Sequence, residues 1–210
     1  MIVQLLSLCI VAFYLESVFL TFWFNSNSIF HPWLGNKSSV KVKAGKDIEA
    51  FTNKLAIRIK PELTNSELEK CYELYLAVKK NNLGLNTFNY PYALFQHMNV
   101  SIPWEFILVY LKDMDMRLVG VMFCYKNSNN IYTPAVVGMD YEFSREYNVY
   151  RQLLYQTILR AREVGSTRID FGLTAGFEKR KVGARVLQKC AYLQTRDNFA
   201  LEALDWLRND

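Results

Sequence analysis

The stretch Ile169 to Val186, Ile-Asp-Phe-Gly-Leu-Thr-Ala-Gly-Phe-Glu-Lys-Arg-Lys-Val-Gly-Ala-Arg-Val, constrains the fold more than any other. A short apolar strand runs into a glycine turn, a threonine able to cap a helix, a basic helical turn and a closing glycine. Asp170 and Thr174 bracket the turn, and Glu178, Lys179, Arg180 and Lys181 follow on the helix. Charged groups therefore gather just beyond a strand's carboxyl end, the edge at which open α/β sheets bind ligands. The plainer reading of the same residues is a well-capped, charged surface helix.

The rest of the chain supplies a sheet for that strand. Leu55 to Lys60 alternates apolar and charged residues as a half-buried strand does. Ser66 and Glu69 have the spacing of a capping box for a helix reaching Asn81, and Pro91 suits the first turn of a shorter helix ending near Met98. Trp104 to Leu111, Arg117 to Lys126 and Ile131 to Met139 are rich in β-branched and aromatic residues and are joined by polar turns, the pattern of an antiparallel meander. A long helix follows, capped by Asn148, buried through Val149, Leu153, Ile158 and Ala161, and closed by Gly165. After the helix that starts at Thr174 come a strand over Val186 to Gln194 and a helix around Phe199 to Arg208. The expected class is α+β, a mixed, mostly antiparallel central sheet flanked by helices, with a domain over 46–210.

Met1 to Phe24 is nearly all apolar, and it is expected to form an apolar helix. It is long enough to span a bilayer, and Lys37, Lys41 and Lys43 after it would then stay on the cytoplasmic side. Glu16 within it opposes spanning, so a membrane anchor and a helix buried in another domain both stand as readings. Residues 25–45 turn to Asn, Ser, Gly and Lys and read as a linker. The net charge of +5 allows a polyanionic ligand or a membrane surface without demanding either. Cys9, Cys71, Cys124 and Cys190 are scattered through apolar segments, which suits free thiols in a reducing, cytoplasmic compartment. His31 and His97 have no partner at metal-ligand spacing, so no metal is expected.

This order of elements resembles the GCN5-related N-acetyltransferase (GNAT) superfamily, and more closely its FemAB-like and BioF2-like acyltransferase branch. The likeness rests on Asp170-Phe171-Gly172, Leu173-Thr174-Ala175, Lys179 and Gly183-Ala184, and covers about residues 46–195. It implies an N-acyltransferase, with acetyl-CoA or another acyl-CoA as co-substrate and a small-molecule or peptide amine as acceptor. The donor would lie where Ile131 to Met139 and Thr167 to Phe171 splay apart. Its pyrophosphate would rest on amides near Asn148, Val149 and Tyr150, with Arg151, Thr174 and Lys179 completing the donor site. Asp170 and Glu178 are the candidate bases, and Tyr192 and Tyr132 the candidate acids. The connection from Asp140 to Asn148 has no glycine, unlike the usual pyrophosphate loop of the superfamily. FemAB-like relatives lack that loop too and use aminoacyl-tRNA, so the resemblance leaves three readings: an acyl-CoA donor, an aminoacyl-tRNA donor, or a non-catalytic binding module. Other nucleic-acid binding is not expected, because the basic blocks are not interleaved with exposed aromatic residues.

Overall fold

The computed structural model describes residues 14–21, for which the backbone alone is considered, 53–81, 89–172 and 175–190. In chain order the elements are β1 (Tyr14–Thr21), β2 (Leu55–Lys60), α1 (Asn65–Asn81), α2 (Tyr92–Val100), β3 (Trp104–Leu111), β4 (Arg117–Asn127), β5 (Ile131–Met139), α3 (Tyr141–Ser144), α4 (Val149–Glu163), β6 (Arg168–Asp170), α5 (Gly176–Lys181) and β7 (Arg185–Cys190). The strands form one sheet in the order β2-β3-β4-β5-β6-β1-β7. Every neighbouring pair is antiparallel except β5 and β6. The mixed, mostly antiparallel sheet and its meander are thus as the sequence predicts.

β3 shows why the sheet is a middle layer. Its run Phe106 to Leu111 is buried throughout, so it faces apolar neighbours on both sides. Ile107, Val109 and Leu111 point to a core under α4, with Val149, Leu153 and Ile158. Phe106, Leu108 and Tyr110 point to a second core under α1 and α2, with Leu68, Cys71, Tyr75, Phe95 and Met98. Two glycines set how closely the helices lie on the sheet. A Cβ at Gly138 of β5 would stand 2.7 Å from the Tyr75 nitrogen of α1, and one at Gly120 of β4 would stand 2.6 Å from Val149 of α4.

Some local expectations move. The capping box of α1 is Thr64 with Glu67, two residues before the expected pair: the Glu67 amide donates to Thr64 Oγ1 at 3.3 Å, and the Thr64 amide to Glu67 Oε2 at 3.0 Å. Asn148 does precede α4, but it lies in the left-handed region at φ 49° and makes no side-chain cap bond. α5 begins at Gly176, after Ala175 at φ 49°. The larger correction is at the start of the chain. Tyr14–Thr21, expected within an apolar helix, is a strand that fills the gap between β6 and β7, with Leu20 opposite Ile169 and Val18 opposite Val186. Its Val, Phe, Leu and Thr residues suit a strand, and two open edges supply the hydrogen-bond partners that settle the choice. Among the described residues no helix is long and apolar enough to cross a membrane. Residues 1–13, the whole of the expected linker over 25–45, the expected helix around 199–208 and the side chains of Cys9 and Cys190 lie outside what is described. Cys71 and Cys124 are free, buried thiols.

Candidate functional site

β5 and β6 run parallel, but they pair only through Ile131 with Arg168 and Tyr132 with Ile169. One residue further along β5 is Thr133, and then Pro134, which has no N–H to give a neighbouring strand. A proline inside a central strand belongs at a bulge, and β5 has one there. Its pairing with β4 passes from Val136 opposite Phe123 to Pro134 opposite Cys124, leaving Ala135 as the extra residue. Beyond this point β5 and β6 part.

The opening is a cavity of about 340 Å³. Thr133, Pro134, Ala135 and Val137 of β5 and Met122 of β4 form one wall, Tyr150 and Leu154 of α4 another, and Phe171, Gly172 and Lys179 the third. Apart from the Thr133 and Tyr150 hydroxyls and Lys179, the side chains lining it are apolar. Lys179 lies 5% exposed, and its Nζ donates to the Phe171 carbonyl at 2.6 Å. Burial lowers its pKa to about 8, although the charge of Asp170 pulls the other way.

At the start of α4, Arg151 Nε donates to Glu178 Oε2 at 3.1 Å, and Lys181 of α5 pairs with the other oxygen of the same carboxylate. Burial opposes the charge of Glu178, yet the bonds from Lys181 and Arg151 hold its carboxyl below the usual range. Tyr150 beside them has its pKa raised, by burial first and then by the Glu178 charge. The first-turn N–H groups of α4 have no partner within the helix, as at any helix start. Phe177, 67% exposed, carries the Lys181 ammonium 4.0 Å from its ring centroid.

Of the expected residues, Tyr150 and Lys179 line the cavity, and Arg151 and Glu178 pair with each other at the start of α4. Other expected residues have different surroundings. Asp170 accepts from the Gly172 amide at 2.8 Å and so shapes the turn after β6. The Val149 side chain is core, packed over Gly120. Tyr132 is fully buried, and its hydroxyl donates to Glu105 at 2.7 Å where β5 and β6 are still paired. Thr174 and Tyr192 lie outside the described residues. The lining from Thr133 to Val137 was not anticipated residue by residue, although Pro134 in a central strand was a readable sign of it. Among the described residues, no group of three His, Cys, Asp or Glu side chains could hold a metal ion.

Comparison with known proteins agrees with this geometry. The family model described as "Acetyltransferase (GNAT) domain" matches residues 44–180. No curated protein matches the sequence. The fold is similar to that of L-PGS from Bacillus licheniformis, with a TM-score of 0.63 and 10% identity over 95% of this chain and 66% of that one. It is also similar to the C-terminal domain (DUF2156) of a putative lysylphosphatidylglycerol synthetase from Agrobacterium fabrum, with a TM-score of 0.64 and 11% identity over 93% and 65% of the two chains. A third similar structure is FemX, with a TM-score of 0.59 and 11% identity over 89% and 63%. The chain spans just under two thirds of the length of each of these.

Proposed function

Because the chain belongs to the GNAT acetyltransferase domain family, we propose that it is an N-acyltransferase whose acyl donor enters the cavity between β5 and β6. The observation that carries this reading is the cavity itself, which opens where Pro134 and the Ala135 bulge end strand pairing and which is walled by apolar side chains. An acyl chain suits such walls. The N–H of Ala135, the extra residue of the bulge, is the donor proposed to receive the acyl carbonyl oxygen as negative charge develops on it. The acceptor amine attacks the carbonyl carbon, the new C–N bond forms, and the thiolate or alkoxide of the carrier leaves. The ammonium proton passes to a base, and the leaving group is protonated.

Of the two candidate carboxylates, Asp170 is the better base, since Glu178 is held by two cations. Tyr192 remains the proposed acid. Arg151 and Lys181, with the first turn of α4 and Asn148 before it, are proposed to take the phosphates of a carrier such as coenzyme A, and Thr174 is proposed as a further donor contact. Lys179 is too deep for a surface phosphate and serves the acyl end. The lack of any glycine between Asp140 and Asn148 favours a second reading, in which the acyl ester is an aminoacyl-tRNA. The test is incubation of the protein with acetyl-CoA and longer acyl-CoAs and a panel of amines, read by thiol release and by product mass. Amine-dependent thiol release is the expected result. Its absence with every acyl-CoA would overturn the acyl-CoA reading.

A further inference from the structure

We propose that Phe177 is a stacking seat for the adenine of the donor's carrier, with Lys181 and Arg151 beside it for the adjoining phosphate. The proposal rests on the proposed function and deepens it, because it names the part of the carrier that is recognised. Coenzyme A and the 3′ end of a tRNA share that part, an adenosine linked to phosphate.

A single exposed phenylalanine needs no explanation by itself, so its surroundings carry the argument. Phe177 is 67% exposed on the short helix α5, and the Lys181 ammonium stands 4.0 Å from its ring centroid. The same ammonium pairs with Glu178, whose other oxygen accepts from Arg151 Nε at 3.1 Å. Arg151 lies in the first turn of α4 next to Tyr150, which lines the cavity, as does Lys179 two residues after Phe177. The ring thus belongs to one cluster of side chains that reaches the cavity wall.

An ammonium over one face of an aromatic ring leaves the other face for a second flat group, and a nucleobase stacks there. Arg151, Arg180 and Lys181 outnumber Glu178 in this cluster, so a phosphate is attracted while it shares the cations with that carboxylate. A phosphate on Lys181 brings its nucleoside within reach of the ring that Lys181 touches. A bilayer fits these residues less well. Val100 and Ile102, the other strongly exposed apolar side chains, precede β3 and so lie at the opposite end of the sheet. Met114 and Tyr141 stand in segments that carry Asp113, Asp115, Asp140 and Glu142, which an anionic surface repels.

The test is isothermal titration of the full chain with adenosine 3′,5′-bisphosphate, the trinucleotide CCA and inorganic pyrophosphate. Phe177→Ala and Phe177→Leu should weaken at least one adenosine probe at least about fivefold, and Phe177→Trp should retain it. Pyrophosphate should bind all four proteins alike, and the exposed position should leave their unfolding temperatures equal. Tighter binding of the bisphosphate would mark coenzyme A as the carrier, and tighter binding of CCA would mark tRNA. Undiminished binding in Phe177→Ala or in Phe177→Leu, or no binding of either adenosine probe at millimolar concentration, would overturn the seat. So would wild-type binding to phosphatidylglycerol vesicles that Phe177→Ala abolishes while the nucleotides do not bind.

Thiol release from acyl-CoAs separates this proposal from the reading beneath it. If an adenosine probe binds through Phe177 and no acyl-CoA releases thiol, the seat stands and the acyl-CoA reading fails. If acyl-CoAs release thiol with the same KM in the wild type and Phe177→Ala, that reading stands and the seat fails.

Discussion

Two buried charges, near opposite ends of α4, are housed in opposite ways. Glu105 in β3 is 1% exposed; it accepts from Tyr132 at 2.7 Å and from Arg160 at 2.9 and 2.8 Å, and pairs with Lys126 at 3.0 Å. Burial opposes its charge, but the hydrogen bonds from Arg160, Tyr132 and Lys126 bring its pKa down to about 2. Lys179, 5% exposed, donates to a backbone carbonyl, and burial prevails to leave its pKa near 8. A carboxylate enclosed by cations ties β3, β4, β5 and α4 together where β5 and β6 are still paired. A lysine beside a cavity, where the same two strands have parted, keeps its charge at a cost to the fold. The first arrangement secures structure, while the second sets an ionisable group with a shifted pKa at a cavity wall, where functional sites concentrate such groups.

The strongest way to break this contrast is to remove a partner of Glu105. Arg160→Ala should cost about 3 kcal/mol, because it leaves a buried carboxylate with Lys126 and Tyr132 alone, and urea unfolding would show it. Acid titration sharpens the point. The carboxyl titrates near 4.5 when unfolded and near 2 when folded, so its stabilisation is complete above 4.5 and is lost as the pH falls toward 2. Glu105→Gln should flatten that limb of the stability curve.

A chain starting at Lys37 should come next in effect, since it lacks β1 and leaves the facing edges of β6 and β7 unpaired. A thermal transition that is lower and less cooperative is expected. An unchanged transition would mean that β1 adds nothing to the sheet. Smaller, and opposite in sign to the Glu105 effects, is Lys179→Met, which should leave stability at pH 7 unchanged or raise it by about 1–2 kcal/mol. Between pH 8 and 10.5 the unfolded lysine holds its proton after the folded one has lost it. Wild-type stability should therefore rise with pH across that window, and in Lys179→Met it should not.

How far the sequence reveals the molecule follows the same division between closed and open regions. The meander and α4 are legible because long segments with one clear period have little choice, and both match the structure closely. β1 is not, since an apolar run satisfies helix and strand alike, and the partners that decide it lie about 150 residues away in the chain. In the site, Tyr150, Arg151 and Lys179 are expected only through the family resemblance, and of these Tyr150 and Lys179 line the cavity. The wall from Thr133 to Val137 needs one more inference, from a proline in a central strand to a bulge and from the bulge to a gap. Tyr132, one residue before that wall, shows the limit. Its role depends on Glu105, 27 residues earlier, and no local pattern links the two.

The central claim is that the space between β5 and β6 holds the acyl donor, and Ala135 gives direct access to it. Its side chain lines the cavity and is exposed, so Ala135→Leu fills the space without disturbing the core. The decisive measurement is isothermal titration of acetyl-CoA into the wild type and this variant, with thermal unfolding of both. Saturable binding by the wild type, weakened at least about tenfold in Ala135→Leu with the unfolding temperature preserved, is the predicted result. Equal affinity in the two proteins, or no binding by the wild type, would contradict it.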